Sequence, residues 1–484
     1  LVIGFGFGNT CQSFLQYDIK KVDCVELLGS EKESAKYFEE ENRGVFTEPR
    51  FRFIENDGRN YILATEKRYD IISVNAVDPK FSPALYTNQF YRLCRNNLRP
   101  DGYLVAWLPI SGMTEKEVLS LIKSFVAEFP HSSLWYNNPE HLLLLGSKTE
   151  LKIDVSRLQR RLAVQAIQKN LQLIRFNNPY TILSTFLLGE KQLAELTRST
   201  VGNTDIHPVV EFSRVTAPEM SPEIYADILR RKESVLPYCT NFNKEEEKAQ
   251  REAIFLHEKA MFDMLKGLFQ YRIAAGGSIA DTTATKKAFQ LMRKALDMTP
   301  DNKFNLLFFV DWVHQYDLTA SLKYIRQAVA EEPKFAKASV LLGMECTQRA
   351  EWDSALTYYD AALAVNDSFI SAWYNRGFAL GQKQNWAESA ASFEKVTELQ
   401  PDNVFAHSSL SQVYYMLNNF PKALQHVQKS IELAPDEANS YFNMGMMYEK
   451  NGRIKEAIRA FEEGLKRAPQ DKKAQEKLRR LKQR

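Results

Sequence analysis

Hydrophobic and polar positions divide the chain into two stretches with different periods. Up to about residue 150, short apolar runs that end in glycines or acids alternate with segments whose apolar residues recur every three to four positions. The first run, Leu1 to Ile3, reads as a buried strand that breaks at Gly4, Gly6 and Gly8 before a helix over Cys11–Tyr17. Lys21–Glu26, Phe51–Ile54, Tyr69–Val74 and Tyr103–Leu108 are predicted as further strands, the last entered through the turn Arg99-Pro100-Asp101-Gly102. Helices are predicted over Glu31–Glu41 and Thr114–Phe129. Ser133–Tyr136 and His141–Gly146, joined by Asn137-Asn138-Pro139-Glu140, read as a closing antiparallel hairpin. Such alternation predicts a doubly wound α/β sheet over residues 1–150.

Leu151–Leu173 and Pro179–Arg198 read as helical, with a loop around Val201–Pro208. Pro218, Pro222 and Pro237 then precede the charged run Lys244–Arg251, which predicts a boundary. Residues 151–243 are therefore read as the C-terminal part of the first domain and a linker, and residues 244–484 as a separate array.

Within that array a 34-residue period emerges: Gly343, Gly377, Ser411 and Gly445 keep it, as do Ala355, Ser389, Ala423 and Ala457, and Pro401, Pro435 and Pro469. This is the tetratricopeptide period, so an all-α solenoid is predicted. Small residues let two helices pack closely, Tyr359, Phe393 and Phe461 fill the seam, and proline ends the second helix. Ala288, Ala295 and Pro300 mark one degenerate repeat, and Ser321, Ala328 and Pro333 another. Lys472–Arg484 is predicted to be a capping helix. Solenoids of this kind bind extended peptides or partner helices on a concave face, for which Asn375, Arg376, Asn443 and Tyr448 are candidate lining residues.

Composition narrows the partners. The net charge is +3, and the last fourteen residues hold seven Lys/Arg against two acids, so the rest of the chain is near neutral and no nucleic-acid partner is expected. Five cysteines stand far apart without a C-x-x-C, and seven histidines form no H-x-H or H-E-x-x-H. A reduced compartment and no metal are the expectation, with cytoplasmic localisation. Because the chain opens inside an apolar run, its first strand is expected to begin earlier in a longer protein. Any membrane anchor would lie in that preceding segment.

The first domain carries the candidate chemistry. Only residues without a Cβ let the backbone approach a nucleotide closely, although glycine turns also serve as plain strand-to-helix connections. Glu26 follows Gly4 by 22 residues, near the roughly 20-residue spacing at which a carboxylate meets a ribose hydroxyl. An ordinary strand-end acid is the other reading. Asp57-Gly58 ends the third strand at the crevice rim, where the carboxylate can accept from an adenine amino group or stabilise an Asx turn.

Alternating strands and helices with a terminal hairpin describe the Rossmann-like, class I methyltransferase fold. The ordered motifs GFGFGNT, VEL, NDGRN, YDIISVNAVDP, LYTNQFY and LRPDGYLVAW resemble the catalytic domain of spermidine synthases. The segment from Asn203 to Phe212 resembles the one that closes that domain in the branch fused to other modules, so the resemblance covers about residues 1–213. It implies decarboxylated S-adenosylmethionine, or S-adenosylmethionine itself, as co-substrate, with a polyamine as acceptor. It gives Gly4, Gly6 and Gly8 the nucleoside approach, Glu26 the ribose, and Asp57 with Gly58 the adenine. In the family an amine attacks the methylene beside the sulfonium.

Two positions depart from the family pattern. Phe7 stands where its glycine turn carries an acid, and Asn75 where its strand-four motif D-x-x-D-P carries the proton acceptor; Asp78 matches the second acid. Tyr86 and Tyr91 are candidate crevice-wall residues or helix-packing tyrosines. Three readings follow: a spermidine synthase-like transferase, a nucleoside-binding pseudoenzyme whose function lies in the array, and a methyltransferase.

Overall fold

The computed structural model describes residues 1–75, 79–176, 178–211, 222–276, 282–313 and 318–483. The chain forms two compact units, Leu1–Leu307 and Phe308–Arg484.

The first unit is built on one eight-stranded sheet. Its strands are β1 (Val2–Ile3), β2 (Val22–Glu26), β3 (Phe51–Glu55), β4 (Tyr69–Val74), β5 (Leu98–Pro109), β6 (His131–Asn138), β7 (His141–Ser147) and β8 (Phe186–Leu188), in the order β3-β2-β1-β4-β5-β7-β6-β8. The five strands from β3 to β5 are parallel, and β7, β6 and β8 are joined antiparallel. Helices α1 (Asn9–Leu15), α2 (Gly58–Ala64), α3 (Asn88–Asn97) and α4 (Glu115–Glu128) connect them. The central strands bury most of their apolar residues because both faces of the sheet are covered. Ile3, Val25, Ile72, Val74, Leu104 and Ala106 share one core with Phe90, Phe125 and Phe129 from the helices. Chain order reverses between β1 and β4, which places a crevice at the carboxyl ends of these strands.

Four expectations change in the structure, the first being Leu151–Leu173, which divides into a short strand Ile153–Asp154 and helices Val155–Leu162 and Gln165–Leu173. The predicted turn Arg99–Gly102 lies within β5, as a bulge that shifts the pairing from Tyr69↔Leu98 to Ile71↔Tyr103. Pro179–Arg198 is not one helix. Its middle, Phe186-Leu187-Leu188, is fully buried and adds β8 to the sheet edge, between helices Pro179–Ser184 and Glu190–Leu196. Three consecutive apolar residues satisfy a strand covered on both faces, whereas a helix would have turned one of them outward. The unit also continues well past residue 243: Met261, Leu265 and Phe269 of α5 (Glu247–Gly276) belong to the sheet's own core. Helix α6 (Thr282–Met298) packs on α5, where Gly267 approaches the backbone of Ala288.

The second unit is a stack of helix pairs: α8 (Ala336–Gln348) with α9 (Trp352–Val365), α10 (Ile370–Gln382) with α11 (Trp386–Leu399), α12 (Val404–Met416) with α13 (Phe420–Leu433), and α14 (Ala438–Lys450) with α15 (Ile454–Arg467). Helix α7 (Leu318–Glu331) precedes them and α16 (Lys472–Lys482) follows. The small residues do what the period predicts. A Cβ at Gly343, Gly377 or Gly445 would come within 2.5, 3.0 and 2.7 Å of the rings of Tyr359, Phe393 and Phe461. The turn inside each pair needs a left-handed residue, and the period delivers Ala350, Gln384, Asn418 and Gly452 there, at φ 59, 61, 56 and 74°. Only the last is free of steric cost.

Candidate functional site

The glycine turn leaves β1 with Gly4, Gly6 and Gly8 at φ 90, 55 and 89°. Positive φ is the reason for glycine at all three. Gly6 has open space around its Cα, whereas a Cβ at Gly8 would meet the Phe5 ring at 2.8 Å. Gly4 N–H donates to Val25 O (2.9 Å), tying the turn to β2. Phe5 turns inward and clusters with Phe46, Phe51 and Phe53. Phe7 points outward, 54% exposed, and leans on the ring of Phe38 at 4.2 Å between centroids. The crevice is therefore not filled by Phe7.

Glu26 ends β2 and braces the turn. Its Oε2 accepts from Phe5 N–H (2.8 Å) and its Oε1 from Leu28 N–H (3.1 Å). Each carboxylate oxygen keeps a second lone pair, so both can still accept a diol's hydroxyls. In the parallel register Glu26 stands beside Glu55, and Asp57 follows two residues later. Glu26 and Asp57 thus share one end of the sheet. Asp57 caps α2: its Oδ1 accepts from Asn60 N–H (2.7 Å), the Asx role, with Oδ2 outside that bond. Gly58 is buried and lets α2 approach β1, since a Cβ there would lie 2.4 Å from Ile3 Cγ2. Gly58 thus serves the packing of α2.

On the other side of β1, Asn75 N–H donates to Ile3 O (2.9 Å), and its Oδ1 accepts from Ser73 Oγ (3.0 Å). Asp78 lies outside the described residues. Tyr86 and Tyr91, considered as crevice walls, are wholly buried in the core. Tyr91 packs edge-on against Phe125.

A contact that the motifs did not announce spans this end of the domain. Arg59, two residues past Asp57, donates from Nη1 to Asp205 Oδ1 (2.9 Å), Ala84 O (2.9 Å) and Thr87 Oγ1 (3.2 Å), and from Nη2 to Asp205 Oδ2. Hydrogen bonding from Arg59 holds the Asp205 carboxyl below its ordinary range. Nearby, Asn203 Nδ2 donates to Tyr86 O (3.1 Å), and its carbonyl accepts from Asn88 N–H and Ser124 Oγ. The segment from 203 to 205 is thereby clasped onto α2, α3 and α4. Arg59 and Asp205 are 146 residues apart, and no period or spacing links them. The signal available was their place inside two of the quoted motifs.

In the array, the candidate lining residues part company. Asn443 lines a groove of about 690 Å³ among α10, α11, α12 and α14. Arg376 is spent on packing: it bonds Asp360 (2.7 Å) and Ser392 (2.8 Å). Asn375 Nδ2 donates to Ser371 O within its own helix. Tyr448 packs beside the α15 core with Arg453 over its ring.

Among the described residues no group of three or more His, Cys, Asp or Glu could hold a metal ion, and no helix is long and apolar enough to cross a membrane. All five cysteines are buried and free.

Comparison with known proteins agrees with this division. Residues 1–136 match the spermine/spermidine synthase domain, and residues 370–403 and 438–471 match tetratricopeptide repeats. The chain is 35% identical over 107 residues to a polyamine aminopropyltransferase of Korarchaeum cryptofilum, covering 22% of this chain and 33% of that protein. It is 36% identical over 108 residues to one of Clostridium botulinum, covering 22% and 38%. The match thus spans little more than a third of these relatives' length. Among solved structures, spermidine synthase from Thermotoga maritima is similar at 20% identity and a TM-score of 0.34, covering 41% of this chain and 67% of that one. YrrB, a TPR protein with an unusual peptide-binding site, is similar at 16% identity and a TM-score of 0.35, covering 38% and 96%. This chain carries a spermine/spermidine synthase domain at its N-terminal end and tetratricopeptide repeats in its C-terminal region.

Proposed function

We propose that the first unit binds an S-adenosyl nucleoside at the carboxyl ends of β1, β2 and β3, and that it is a spermidine synthase-like transferase joined to a peptide-binding scaffold. The observation that carries this reading is Glu26, whose carboxylate is held by the Phe5 N–H of the glycine turn and by the Leu28 N–H just past β2, one register step from the strand that leads to Asp57. A carboxylate fixed in this way offers ribose hydroxyls acceptors that need no reorganisation. Asp57 Oδ1 holds the start of α2, which leaves Oδ2 for an adenine amino group.

Decarboxylated S-adenosylmethionine would supply an electrophilic methylene beside the sulfonium. The amine nitrogen forms the new C–N bond, the C–S bond breaks with its electron pair passing to sulfur, and the ammonium proton must leave. With an amine pKa of about 10, only about one molecule in a thousand is neutral at pH 7, so a base is required. Asn75 cannot serve, because an amide has no lone pair basic enough and its oxygen already accepts from Ser73. The proton falls to Asp78 or to water.

The substitution at Asn75 also favours a second reading, a nucleoside-binding pseudoenzyme. Calorimetry of the chain with decarboxylated and with ordinary S-adenosylmethionine, followed by a turnover assay with putrescine, separates the two. Binding with aminopropyl transfer is the expected result. Binding of the decarboxylated ligand without product, restored to turnover by Asn75→Asp, identifies the pseudoenzyme. Preference for ordinary S-adenosylmethionine points to methyl transfer, and failure to bind either ligand refutes the crevice assignment.

A further inference from the structure

The groove of the second unit differs from the rest of the molecule in its charge. A quarter of all residues in the chain are Asp, Glu, Lys or Arg, so about four of the fifteen groove residues would be charged if the groove were average; none is. Its walls are aromatic and thioether side chains with amides between them. Phe378, Met416 and Met446 keep 42, 46 and 43% of their surface exposed there, beside Trp386, Gln412 and Asn443. Lys450, on the same helix as Met446, is laid over the rings of Tyr415 and Phe420 at 4.3 and 5.7 Å.

The 34-residue period explains the layout. Phe378, Gln412 and Met446 occupy one position in three successive repeats, and Asn375, Ser409 and Asn443 another. The first set lines the groove in all three repeats, and the second contributes Ser409 and Asn443 to it, while Asn375 bonds within its own helix. Gly377 and Phe393, which meet in the seam, form part of the groove wall, while Phe378 beside them stays 42% exposed. Large apolar side chains left in water on one concave face, with no charge among them, favour an apolar occupant.

We infer that this groove takes an extended, uncharged peptide segment of a partner protein that bears large apolar side chains, and that it discriminates against acidic segments and free C-terminal carboxylates. An acidic group placed there would lose its water and find no cation among the lining residues, the adjoining Lys450 being held over the rings of Tyr415 and Phe420. Side-chain amides accept and donate to a peptide backbone without reading its charge, while methionines adapt to differing side chains. With neighbouring helices about 10 Å apart and an extended chain advancing about 3.3 Å per residue, α10, α12 and α14 span roughly six residues.

This inference rests on reading the array as a peptide-binding scaffold, and the test separates the two. Two fluorescein-labelled octapeptides blocked at both ends, one of Leu, Phe, Gln, Ser and Asn and one with two Asp in place of polar residues, are titrated with the full chain by anisotropy. The neutral peptide is expected to bind at least tenfold tighter, with an affinity unchanged between about 0.1 and 1 M salt. Phe378→Ser and, separately, Met446→Gln should each weaken it several-fold while leaving the melting curve of the chain in place. Equal or tighter binding of the acidic peptide, lost in Phe378→Ser, overturns the inference and leaves the scaffold reading intact. Binding that neither substitution alters overturns the location. No anisotropy change with either peptide overturns both readings.

Discussion

The crevice of the first unit and the groove of the second use their residues in opposite ways. In the crevice the residues named for a ligand also hold the fold: Glu26 braces the glycine turn, Asp57 caps α2, and Gly58 admits α2 onto β1. In the groove the duties are largely divided: Gly377 and Phe393 meet in the seam, while Phe378, Met416 and Met446 pack little and remain exposed. A site made of braces is preorganised and loses geometry when one member is removed. A site made of spare positions on a repeat can change its lining without unfolding the scaffold.

The sharpest way to break this comparison is Glu26→Ala. Two charge-assisted bonds of about 1.5–3 kcal/mol each are at stake, so nucleoside affinity measured by calorimetry should fall about 100-fold or more. Unchanged affinity would show that Glu26 is only a strand-end acid. Next in size is Gly445→Val, which forces side-chain atoms into the Phe461 ring and should lower stability by about 2 kcal/mol in denaturant unfolding. Tolerance of valine there would mean that the seam is not close-packed.

Asp205→Asn probes the clasp and should cost on the order of 1 kcal/mol, reduced by solvent screening because the Asp205 side chain is 35% exposed. Arg59 lowers the folded-state pKa of Asp205. Its contribution is therefore complete above the unfolded carboxyl value of about 3.9 and is lost as pH falls through the lower folded value. Acid unfolding curves of the wild type and Asp205→Asn should converge at the low end of that window; a constant gap would exclude the ion pair as the cause. The smallest effect expected is a gain: Ala350→Gly relieves a left-handed residue and should raise stability by about 0.5–1 kcal/mol. No gain would place the strain elsewhere in the turn.

Legibility in the sequence followed the range of the interactions. The parallel strands, the glycine turn and the repeat were readable because each is written in local spacing: apolar runs, residues without a Cβ, and a 34-residue recurrence. The spacing from Gly4 to Glu26 placed a carboxylate at the right strand end, and the register then set it beside the strand leading to Asp57. Sequence shows that a tyrosine lies near a strand end but not how deeply it is buried, and in the structure Tyr86 and Tyr91 both lie in the core. Likewise spacing offers Arg376 to a ligand, whereas Asp360 and Ser392 on neighbouring helices hold its guanidinium.

What the sequence determined by itself, then, is whatever repeats or alternates along the chain: the doubly wound sheet, the solenoid, and which residues stand at strand ends. Tertiary structure alone decided the contacts between distant segments. It added β8 to the sheet edge, extended the first unit through α5 to Leu307, and joined Arg59 to Asp205. Such contacts depend on which buried surfaces and unmet hydrogen bonds meet when the chain closes, and nothing in local spacing encodes a partner more than a hundred residues away.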